Sequence, residues 1–593
     1  MSLLRAQNLT VSASIAGESV PVLHDLSFGL APGKVLGMVG ESGAGKSMVG
    51  RTVAQLLPPA FAVSGGALEF AGNNLVTMLP EARRALLGRE IAFIPQEPLS
   101  ALNPVLTIGA QFGEHLARIG VAARDRRDAM IAAFDAVHLP RPAELLTRYP
   151  HQLSGGMCQR VLIAMAFASK PKLVIADEPT TALDVTIQAR VVELLAEMQE
   201  REGTAVLFIT HDLRLAAQVC HDILVLYAGR AAEYGSSRAV FGAPGHPYTR
   251  CLQLANPAMR ERRGLYALPE RMPGLRAYGA IAGCTFAPRC PLTIEQCRQA
   301  PPPMSEVSPS HLAACIRTER TREIAPASAP PVEETTTAPL ILEAANLSKR
   351  FPSGGLFRRS DFTAVSDVSF VLRENEFVGI VGESGSGKST LARLIVGLET
   401  ASEGRIAVAG KNSGEPDFDD HRRRHIQMVF QDPQSALNPR RRVAGIVTQP
   451  LEAAGHASWE ERLARAGLLL REIGLPPEAA TRFPAQLSGG QRQRVNIARA
   501  LCAVPRILIA DEIVSGLDVS VQAQLLNLLA ALRRERGFSM LFISHDLSVV
   551  RYLCDRVLVM YRGAVVESGP TEQVFAAPAH EYTRTLLAAV PQD

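Results

Sequence analysis

Short apolar runs recur along this chain of 593 residues, and each is followed by a distinctive polar segment. KVLGMVG at 34–40 and EFVGIVG at 376–382 lead through glycine-rich segments into helix-like stretches. KLVIADE at 172–178 and RILIADE at 506–512 each end in an Asp-Glu pair. Such continuous apolar runs are typical of strands buried on both faces. The pattern predicts strands joined by helices, which is an α/β fold.

The order of these segments occurs twice. GESGAGKS at 40–47 returns as GESGSGKS at 382–389. The segments LSGG, IADE and HDL then follow in the same order in both halves. A repeat of this kind predicts two homologous halves.

The glycine-rich segments have the form GxxxxGK[ST], and each lies between a predicted strand and a predicted helix. In that setting glycines let backbone N–H groups surround phosphates, and the helix N-terminus favours the anion. Lys46 and Lys388 are expected to reach the β- and γ-phosphates, with Ser47 and Ser389 on a magnesium ion. The predicted phosphate-loop residues are Gly40, Ser42, Gly43, Gly45, Lys46, Ser47, Gly382, Ser384, Gly385, Gly387, Lys388, Ser389 and Thr390.

The Asp-Glu pairs predict the rest of the hydrolytic chemistry. We expect Asp177 and Asp511 to support magnesium through water. We expect Glu178 and Glu512 to polarise the attacking water as general bases. These residues make ATP hydrolysis the predicted reaction.

Composition indicates an ordinary folded protein, with 47% apolar and 20% charged residues. The net charge of +4 is too small to indicate a nucleic-acid partner. No uncharged apolar run is long enough to span a bilayer, and the N-terminus lacks the apolar core of a signal peptide. We therefore expect a cytoplasmic protein whose membrane role depends on a partner.

Four of the nine cysteines, Cys284, Cys290, Cys297 and Cys315, lie close together between the two halves. Disulfides are rare in cytoplasmic proteins, so a metal site is the better interpretation. Four thiolates suit either zinc or an iron-sulfur cluster, and the spacing does not choose between them. The Pro-, Ala-, Thr- and Glu-rich segment 318–339 then predicts a flexible linker.

Taken together, the motifs resemble those of ATP-binding cassette (ABC) ATPases. In that family a glutamine loop, a signature, a Leu-Asp loop and a switch histidine accompany the phosphate loop and carboxylates. Here they match Gln96 and Gln431, the two LSGG segments, Asp184 and Asp518, and His211 and His545. The resemblance implies two P-loop NTPase domains, each with a β subdomain and a helical signature subdomain, and a small Cys-rich appendage after the first.

The resemblance also implies that the two cassettes pair head to tail, so that each ATP lies between one phosphate loop and the other signature. It places Gln96 and Gln431 near magnesium, and His211 and His545 in catalysis beside the two glutamates. Phe351 is expected to stack on adenine in the second half, whereas residues 1–27 contain no Phe, Tyr or Trp, so ATP affinity at the first site is expected to be lower. The implied signature residues are Ser154, Gly155, Gly156, Met157, Ser488, Gly489, Gly490 and Gln491.

Three further features resemble the oligopeptide and dipeptide importer subfamily. They are the LNP segments PLSALNP and PQSALNP, the tails HPYTRCL and HEYTRTL, and GCTFAPRC at 283–290. This resemblance implies an ATPase at the cytoplasmic face of the inner membrane. It would work with two transmembrane permease subunits and an extracytoplasmic solute-binding protein. It also favours a [4Fe-4S] cluster over zinc.

Two other interpretations stay open: a soluble two-cassette ATPase that acts on ribosomes, and the ATPase of an exporter. The short Pro-rich linker and the position of the cysteines disfavour the first, and the LNP and HxYTR segments disfavour the second. The predicted boundaries are 1–255 for the first nucleotide-binding domain, 256–317 for the appendage, 318–339 for the linker and 340–593 for the second domain.

Overall fold

The computed structural model describes residues 2–181, 183–269, 272–278, 281–329, 337–353, 360–455 and 457–591. The strands of the first half are β1 Leu4–Ile15, β2 Glu18–Leu30, β3 Val35–Val39, β4 Phe61–Phe70, β5 Asn73–Asn74, β6 Ile91–Ile94, β7 Leu173–Asp177, β8 Ala205–Ile209, β9 Asp222–Tyr227 and β10 Arg230–Ser236. Its helices are α1 Lys46–Val53, α2 Pro80–Leu86, α3 Pro98–Ala101, α4 Ile108–Ile119, α5 Arg126–Ala136, α6 Pro142–Leu145, α7 Gly155–Phe167, α8 Val185–Glu202, α9 Leu213–Val219, α10 Ser237–Gly242 and α11 Pro247–Ala255.

The segment between the halves is built mainly of short elements. They are α12 Leu275–Tyr278, a 3-10 turn Ala287–Arg289, α13 Gln296–Gln299, β11 Ser305–Ser308, β12 His311–Ala313 and a 3-10 helix Thr318–Glu323.

The second half repeats the order of the first. Its strands are β13 Leu340–Ser353, β14 Ser360–Arg373, β15 Phe377–Val381, β16 Glu403–Val408, β17 Lys411–Asn412, β18 Ile426–Val429, β19 Ile507–Asp511, β20 Ser539–Ile543, β21 Arg556–Tyr561 and β22 Ala564–Pro570. Its helices are α14 Lys388–Val396, α15 Phe418–His425, α16 Pro433–Ala436, α17 Val443–Val447, α18 Gln449–Ala454, α19 Trp459–Glu472, α20 Gly489–Cys502, α21 Val519–Arg536, α22 Leu547–Leu553, α23 Thr571–Ala576 and α24 Glu581–Ala588.

The two halves have the same sheet topology, as the sequence repeat predicts. Each has an antiparallel sheet, in the orders β2-β1-β4-β5 and β14-β13-β16-β17. Each also has a mostly parallel sheet, in the orders β10-β9-β3-β8-β7-β6 and β22-β21-β15-β20-β19-β18. The central strands β3, β7 and β8 are fully buried, which explains why their sequences are continuous apolar runs.

Residues 281–317, which contain the four clustered cysteines and are called the cysteine segment below, extend the larger sheet of the first half. Its hairpin β11–β12 pairs with the edge strand β10, where Glu233 lies opposite Ala313. Phe286, which is 1% exposed, packs against Tyr227 and Tyr248 with ring centroids 5.2 and 5.3 Å away. The segment therefore shares the core of the first half.

The start of the predicted linker differs from the sequence-based expectation. Residues Thr318–Glu323 form a 3-10 helix, and Thr321 is buried. The Thr321 hydroxyl donates to the Pro244 carbonyl at 2.7 Å, and the Ile324 side chain is also buried. Arg250 also donates to the Ile324 carbonyl at 3.2 Å. Isolated contacts of this kind leave no apolar periodicity in the sequence. Residues 330–336 of the predicted linker lie outside the described residues.

The segment at 255–269 also packs against the second half. Ala255 and Leu265 belong to the apolar cluster of that half. The Asn527 side chain on α21 donates to the Leu265 carbonyl at 3.0 Å, and Gln524 donates to the Leu268 carbonyl at 2.6 Å. Within the described ranges, no helix is long and apolar enough to cross a membrane.

Candidate active sites

The first phosphate loop joins β3 to α1 and folds around Lys46. Gly40, with φ 148°, lies so close to the Leu226 carbonyl that an added Cβ would be 2.3 Å from its oxygen. The Lys46 ammonium donates to the Gly40 and Glu41 carbonyls at 2.8 and 3.0 Å. The loop therefore encloses a buried cation at the N-terminus of a helix, an arrangement that suits a polyphosphate.

The second phosphate loop repeats this geometry between β15 and α14. Lys388 donates to the Gly382 and Glu383 carbonyls, both at 2.8 Å. The hydroxyl at the next position reaches a carboxylate in both halves. Ser47 donates to Asp177 at 2.8 Å and Ser389 to Asp511 at 3.1 Å.

Glu178 and Glu512 follow β7 and β19 and sit at the centre of matching hydrogen-bond clusters. Gln96 donates to Glu178 at 2.9 Å, and His211 Nδ1 lies 3.2 Å from the same oxygen. Gln431 donates to Glu512 at 2.7 Å, and His545 Nδ1 lies 3.6 Å away. The structure thus brings the predicted glutamine, glutamate and histidine of each half together.

These contacts set the charge of each pair. Burial raises the pKa of Glu178, but its hydrogen bond and charge interaction with His211 outweigh burial and lower it to about 2. Burial lowers the pKa of His211, and the interactions with Glu178 reverse this to a net increase. In the second half, the hydrogen bond from His545 lowers the pKa of Glu512 despite burial. Both carboxylates are therefore ionised at neutral pH and able to accept a proton.

The backbone holds both glutamates in a strained conformation. Glu178 has φ 47° and Glu512 has φ 48°, in the left-handed region that side chains with a Cβ rarely adopt. Such residues are frequent at functional sites, where the surrounding structure maintains the strain.

The two halves contact each other reciprocally at their phosphate loops. The Ser42 N–H donates to Asp518 Oδ1 at 2.6 Å, and the Asp184 carboxylate lies near the Ser384 N–H of the other phosphate loop. The next contact also has a counterpart, since Thr186 donates to Glu383 at 2.6 Å and Ser520 donates to Glu41. The Leu-Asp loop of each half therefore lies against the phosphate loop of the other, as the head-to-tail expectation requires.

The signature segments begin the helices α7 and α20. The Ser154 hydroxyl caps α7 by accepting from the Met157 N–H at 3.3 Å, and Ser488 caps α20 by accepting from Gln491 at 3.4 Å. Cys158, which stands where the second half has an arginine, is fully buried in the core of the first half.

The aromatic residue expected at adenine differs between the halves. Strand register makes Ala13 the counterpart of Phe351, because Ala13 pairs with Val20 and Phe351 with Phe362 at matching positions of their sheets. On its other side Ala13 lies opposite Phe61. The ring of Phe351 is half-buried, with the Lys349 ammonium 4.9 Å from its centroid.

All four predicted cysteine ligands line one cavity of about 320 Å³. Backbone N–H groups point at three of the sulfur atoms: those of Phe286 and Ala287 at Cys284, that of Leu292 at Cys290 and that of Arg317 at Cys315. Burial raises the pKa of Cys290 to about 12 and that of Cys315 to about 11. A bound cation would be needed to keep these sulfurs as thiolates at neutral pH.

The arrangement of these thiols does not match a site for one ion. In the described part of the chain, no group of three or more His, Cys, Asp or Glu side chains is placed to hold a single metal ion. Zinc needs all its sulfur ligands at about 2.3 Å. This geometry therefore gives no support to the expected [4Fe-4S] cluster or to the zinc alternative.

Sequence reasoning did not assign a role to Glu41, Glu383, Thr186, Ser520 or Arg289. The glutamates occupy the same variable position of the phosphate loop in both halves, so their repetition was a usable signal. The arginine lies within GCTFAPRC, which was interpreted only through its cysteines.

Comparison with known families gives two matches. The ABC transporter model matches residues 23–181 and 365–515, which confirms the resemblance inferred from the motifs. The model of the oligopeptide/dipeptide transporter C-terminal region matches residues 232–297 and 566–592.

Full-length relatives are also similar to this chain. The oligopeptide transport ATP-binding proteins OppD of Mycobacterium bovis and Mycobacterium tuberculosis are each 41% identical over 100% of this chain and 98% of their own length. The glutathione import ATP-binding protein GsiA of Escherichia coli O157:H7 is 39% identical over 100% of this chain and 90% of its own. With two cassettes matched and similarity along its whole length, the chain belongs to the ABC transporter family and is an ATPase.

Proposed function

We propose that this chain is the energy-coupling ATPase of an importer for peptides or peptide-like solutes, in which two ATP molecules bind between its halves. The observation that carries the proposal is the pair of reciprocal hydrogen bonds between the halves, Thr186 with Glu383 and Ser520 with Glu41. They hold two complete sets of hydrolytic residues head to tail. The names of the relatives supply the solute class.

The side chains divide the work at each site. Lys46 and Lys388 bind the β- and γ-phosphates, while the hydroxyl and carboxylate of Ser47 and Asp177, and of Ser389 and Asp511, hold Mg²⁺. The magnesium ion, when bound, neutralises charge on the phosphates.

Glu178 and Glu512 accept the proton of the attacking water. Gln96 and His211 contact the base Glu178, and Gln431 and His545 contact the base Glu512. These side chains therefore change their contacts when the γ-phosphate binds or leaves. The signature residues Ser154, Gly155, Gly156, Ser488, Gly489, Gly490 and Gln491 present helix N-termini to the nucleotide.

Two transmembrane permease subunits are the proposed partners, and they place the chain at the cytoplasmic face of the membrane. The segment after Gln96 carries two exposed apolar side chains, Leu99 at 55% and Val105 at 76%. Gln96 itself contacts Glu178. A permease that binds this segment would therefore be connected to the catalytic base by one short stretch of chain.

Affinity purification of the full chain from membranes tests this assignment. We expect capture of two membrane proteins, and we expect Val105→Asp to reduce it. Leu79→Asp, at a side chain that is 75% exposed and outside this segment, is the matched control. Recovery of ribosomes without membrane proteins would refute the importer assignment.

We propose that a [4Fe-4S] cluster binds in the cavity lined by the four cysteines. A cluster places several iron and sulfide atoms between its ligands, so it needs a cavity such as the one that these four cysteines line. Backbone N–H groups directed at sulfur are a feature that tunes such clusters. Cys284, Cys290, Cys297 and Cys315 would hold it.

Iron and sulfide analysis of protein purified without oxygen tests the cluster. We expect about four of each per chain, and near-complete loss of both in Cys290→Ser. Cys220→Ser, at a buried thiol outside the cavity, is the control. Stoichiometric zinc without sulfide would contradict the cluster.

A further inference from the structure

The cysteine segment reaches the first phosphate loop through a buried ion pair. Arg289 donates to Glu41 through two nitrogens, at 2.7 and 3.0 Å. The two side chains are only 1% and 7% exposed. Glu41 is the first residue after Gly40 in the loop GESGAGKS, so this contact lies within the segment that encloses Lys46.

Arg289 is itself fixed in place by three other contacts. Its Nε donates to the Pro269 carbonyl at 2.9 Å, and its Nη1 lies 3.4 Å from the Tyr227 hydroxyl. Its guanidinium carbon is 5.8 Å from the centroid of the Tyr227 ring. A guanidinium that is bound on several edges is preorganised and loses little freedom when it holds a carboxylate.

The same carboxylate is also bound by the second half. The Ser520 hydroxyl, in the first turn of α21, donates to Glu41 Oε1. That oxygen also accepts from Arg289. Glu41 therefore connects the cysteine segment, the first phosphate loop and the second half at one point.

Further along α21, two more side chains bind the segment that leads to Arg289. Gln524 and Asn527 donate to the Leu268 and Leu265 carbonyls. With Ser520 they lie at i, i+4 and i+7, which is one face of a helix. This face of α21 therefore contacts both the loop and the segment next to it.

The second site lacks this arrangement. Glu383, the counterpart of Glu41, accepts from Thr186 of the opposite half at 2.6 Å. Among the described residues, no arginine pairs with Glu383. On α8, Arg190 and Glu193 occupy the positions that match Gln524 and Asn527, and both are exposed.

We propose that Arg289 is a positioning residue for the first ATP site. Through Arg289 the cysteine segment holds the Glu41 carboxylate where it accepts the hydrogen bond from Ser520. The cysteine segment then stabilises the phosphate loop of the first site and has no such effect on the second. In this proposal Arg289 acts on the site through its contact with Glu41 and is not a nucleotide ligand. The inference rests on ATP hydrolysis at two sites and is independent of the solute proposed above.

The test measures the two sites separately in the purified full-length chain. The variant Glu512→Gln leaves the first site able to hydrolyse ATP, and Glu178→Gln leaves the second. With only the first site active, we expect Arg289→Gln to raise KM for ATP about tenfold, as loss of a charge-assisted hydrogen bond does, with a smaller effect on kcat. With only the second active, we expect KM to change less than about twofold.

The conservative and control variants distinguish positioning from general damage. Arg289→Lys keeps the charge but not the two-pronged contact, so it should restore KM only in part. Arg298→Gln changes an exposed arginine beside Cys297 and should leave both sites unchanged. An equal KM increase at both sites in Arg289→Gln would overturn the proposal.

Arg289→Gln leaves a buried carboxylate unpaired and could prevent folding. The double variant Arg289→Gln/Glu41→Gln removes that charge imbalance. We expect its melting temperature to recover toward that of the parent, while KM at the first site stays raised. A return of KM to the parent value would show that Arg289 only neutralises charge, and would refute positioning.

A double-mutant cycle tests the connection to the second half. Since Arg289 and Ser520 share Glu41, the effects of Arg289→Gln and Ser520→Ala on first-site KM should be non-additive. The matched hydroxyl at the other site is that of Thr186, which donates to Glu383. The effects of Thr186→Val and Arg289→Gln on first-site KM should therefore be additive. Additive effects in both cycles would contradict a shared action through Glu41.

Discussion

Asp518 accepts a hydrogen bond from the Ser42 backbone N–H at 2.6 Å, so a loop of the second half touches the phosphate loop of the first. Asp184 occupies the matching position near the Ser384 N–H of the other phosphate loop. Each ATP site is therefore completed by the other half. A substitution in the Leu-Asp loop of one half should change ATP binding at the phosphate loop of the other half.

Replacing either aspartate should weaken ATP binding at the phosphate loop that it contacts in the other half. We expect Asp518→Ala to raise KM for ATP at the first site by about three- to tenfold, since it removes a charge-assisted hydrogen bond. Asp184→Ala should have the same effect at the second site. KM values in the Glu512→Gln and Glu178→Gln backgrounds separate the two. A KM increase only at the site whose phosphate loop belongs to the substituted half would contradict the reciprocal arrangement.

The two glutamates should carry the chemical step. Glu178→Gln and Glu512→Gln should each reduce turnover, and the double variant should lower kcat by about 100-fold or more while it still binds ATP. Steady-state hydrolysis and nucleotide binding are the two measurements. Undiminished hydrolysis in the double variant would refute the choice of base.

The pairing of His211 with Glu178 should make stability depend on pH. The pKa of His211 is raised in the folded chain, so its stabilising interaction is complete below about pH 6.5 and is lost as pH rises through the folded value. The pKa of Glu178 is about 2, so that carboxylate stays ionised throughout. Wild type should therefore exceed Glu178→Gln in melting temperature by more at about pH 6 than at about pH 9.

An exposed pair provides the control for this prediction. His138 and Glu197 lie 3.5 Å apart with side chains 70% and 53% exposed. Exposed pairs contribute little to stability, so Glu197→Gln should show no such pH dependence. A similar pH dependence in both variants would remove the evidence for a specific His211–Glu178 effect.

The two sites should also differ in their use of an aromatic side chain. We expect Phe351→Ala to raise KM for ATP at the second site about tenfold, within the range that base stacking contributes. Phe362, its exposed cross-strand neighbour, is the control, and Phe362→Ala should leave KM unchanged. The first site has Ala13 at this position and should not respond to either change. Equal KM in wild type and Phe351→Ala would exclude stacking.

Much of each site follows from local sequence. Residues such as Lys46, Asp177 and Glu178 lie next to buried strands, so the pattern of apolar runs and the strand–loop–helix order place them without knowledge of the fold. Comparison of the two halves then identifies their counterparts. The repeat also predicts that the two halves share one topology, although it does not give the strand order.

The features that sequence reasoning missed depend on contacts between distant segments. Arg289 lies 248 positions from Glu41, and Ser520 lies 479 positions from it. An arginine within a cysteine-rich segment carries no local signal for either contact. The attachment of Thr321 was missed for a similar reason, because one hydroxyl bonded to a carbonyl leaves no periodic pattern.

The most direct test of the account is ATP-driven uptake by the complete transporter in lipid vesicles. The vesicles contain this chain and the two membrane proteins that co-purify with it, with a labelled peptide and a binding protein that recognises it on the opposite side. We predict peptide uptake that requires ATP and is abolished in Glu178→Gln/Glu512→Gln, although that variant stays bound to the membrane proteins. Uptake that persists at the wild-type rate in the double variant would contradict the account.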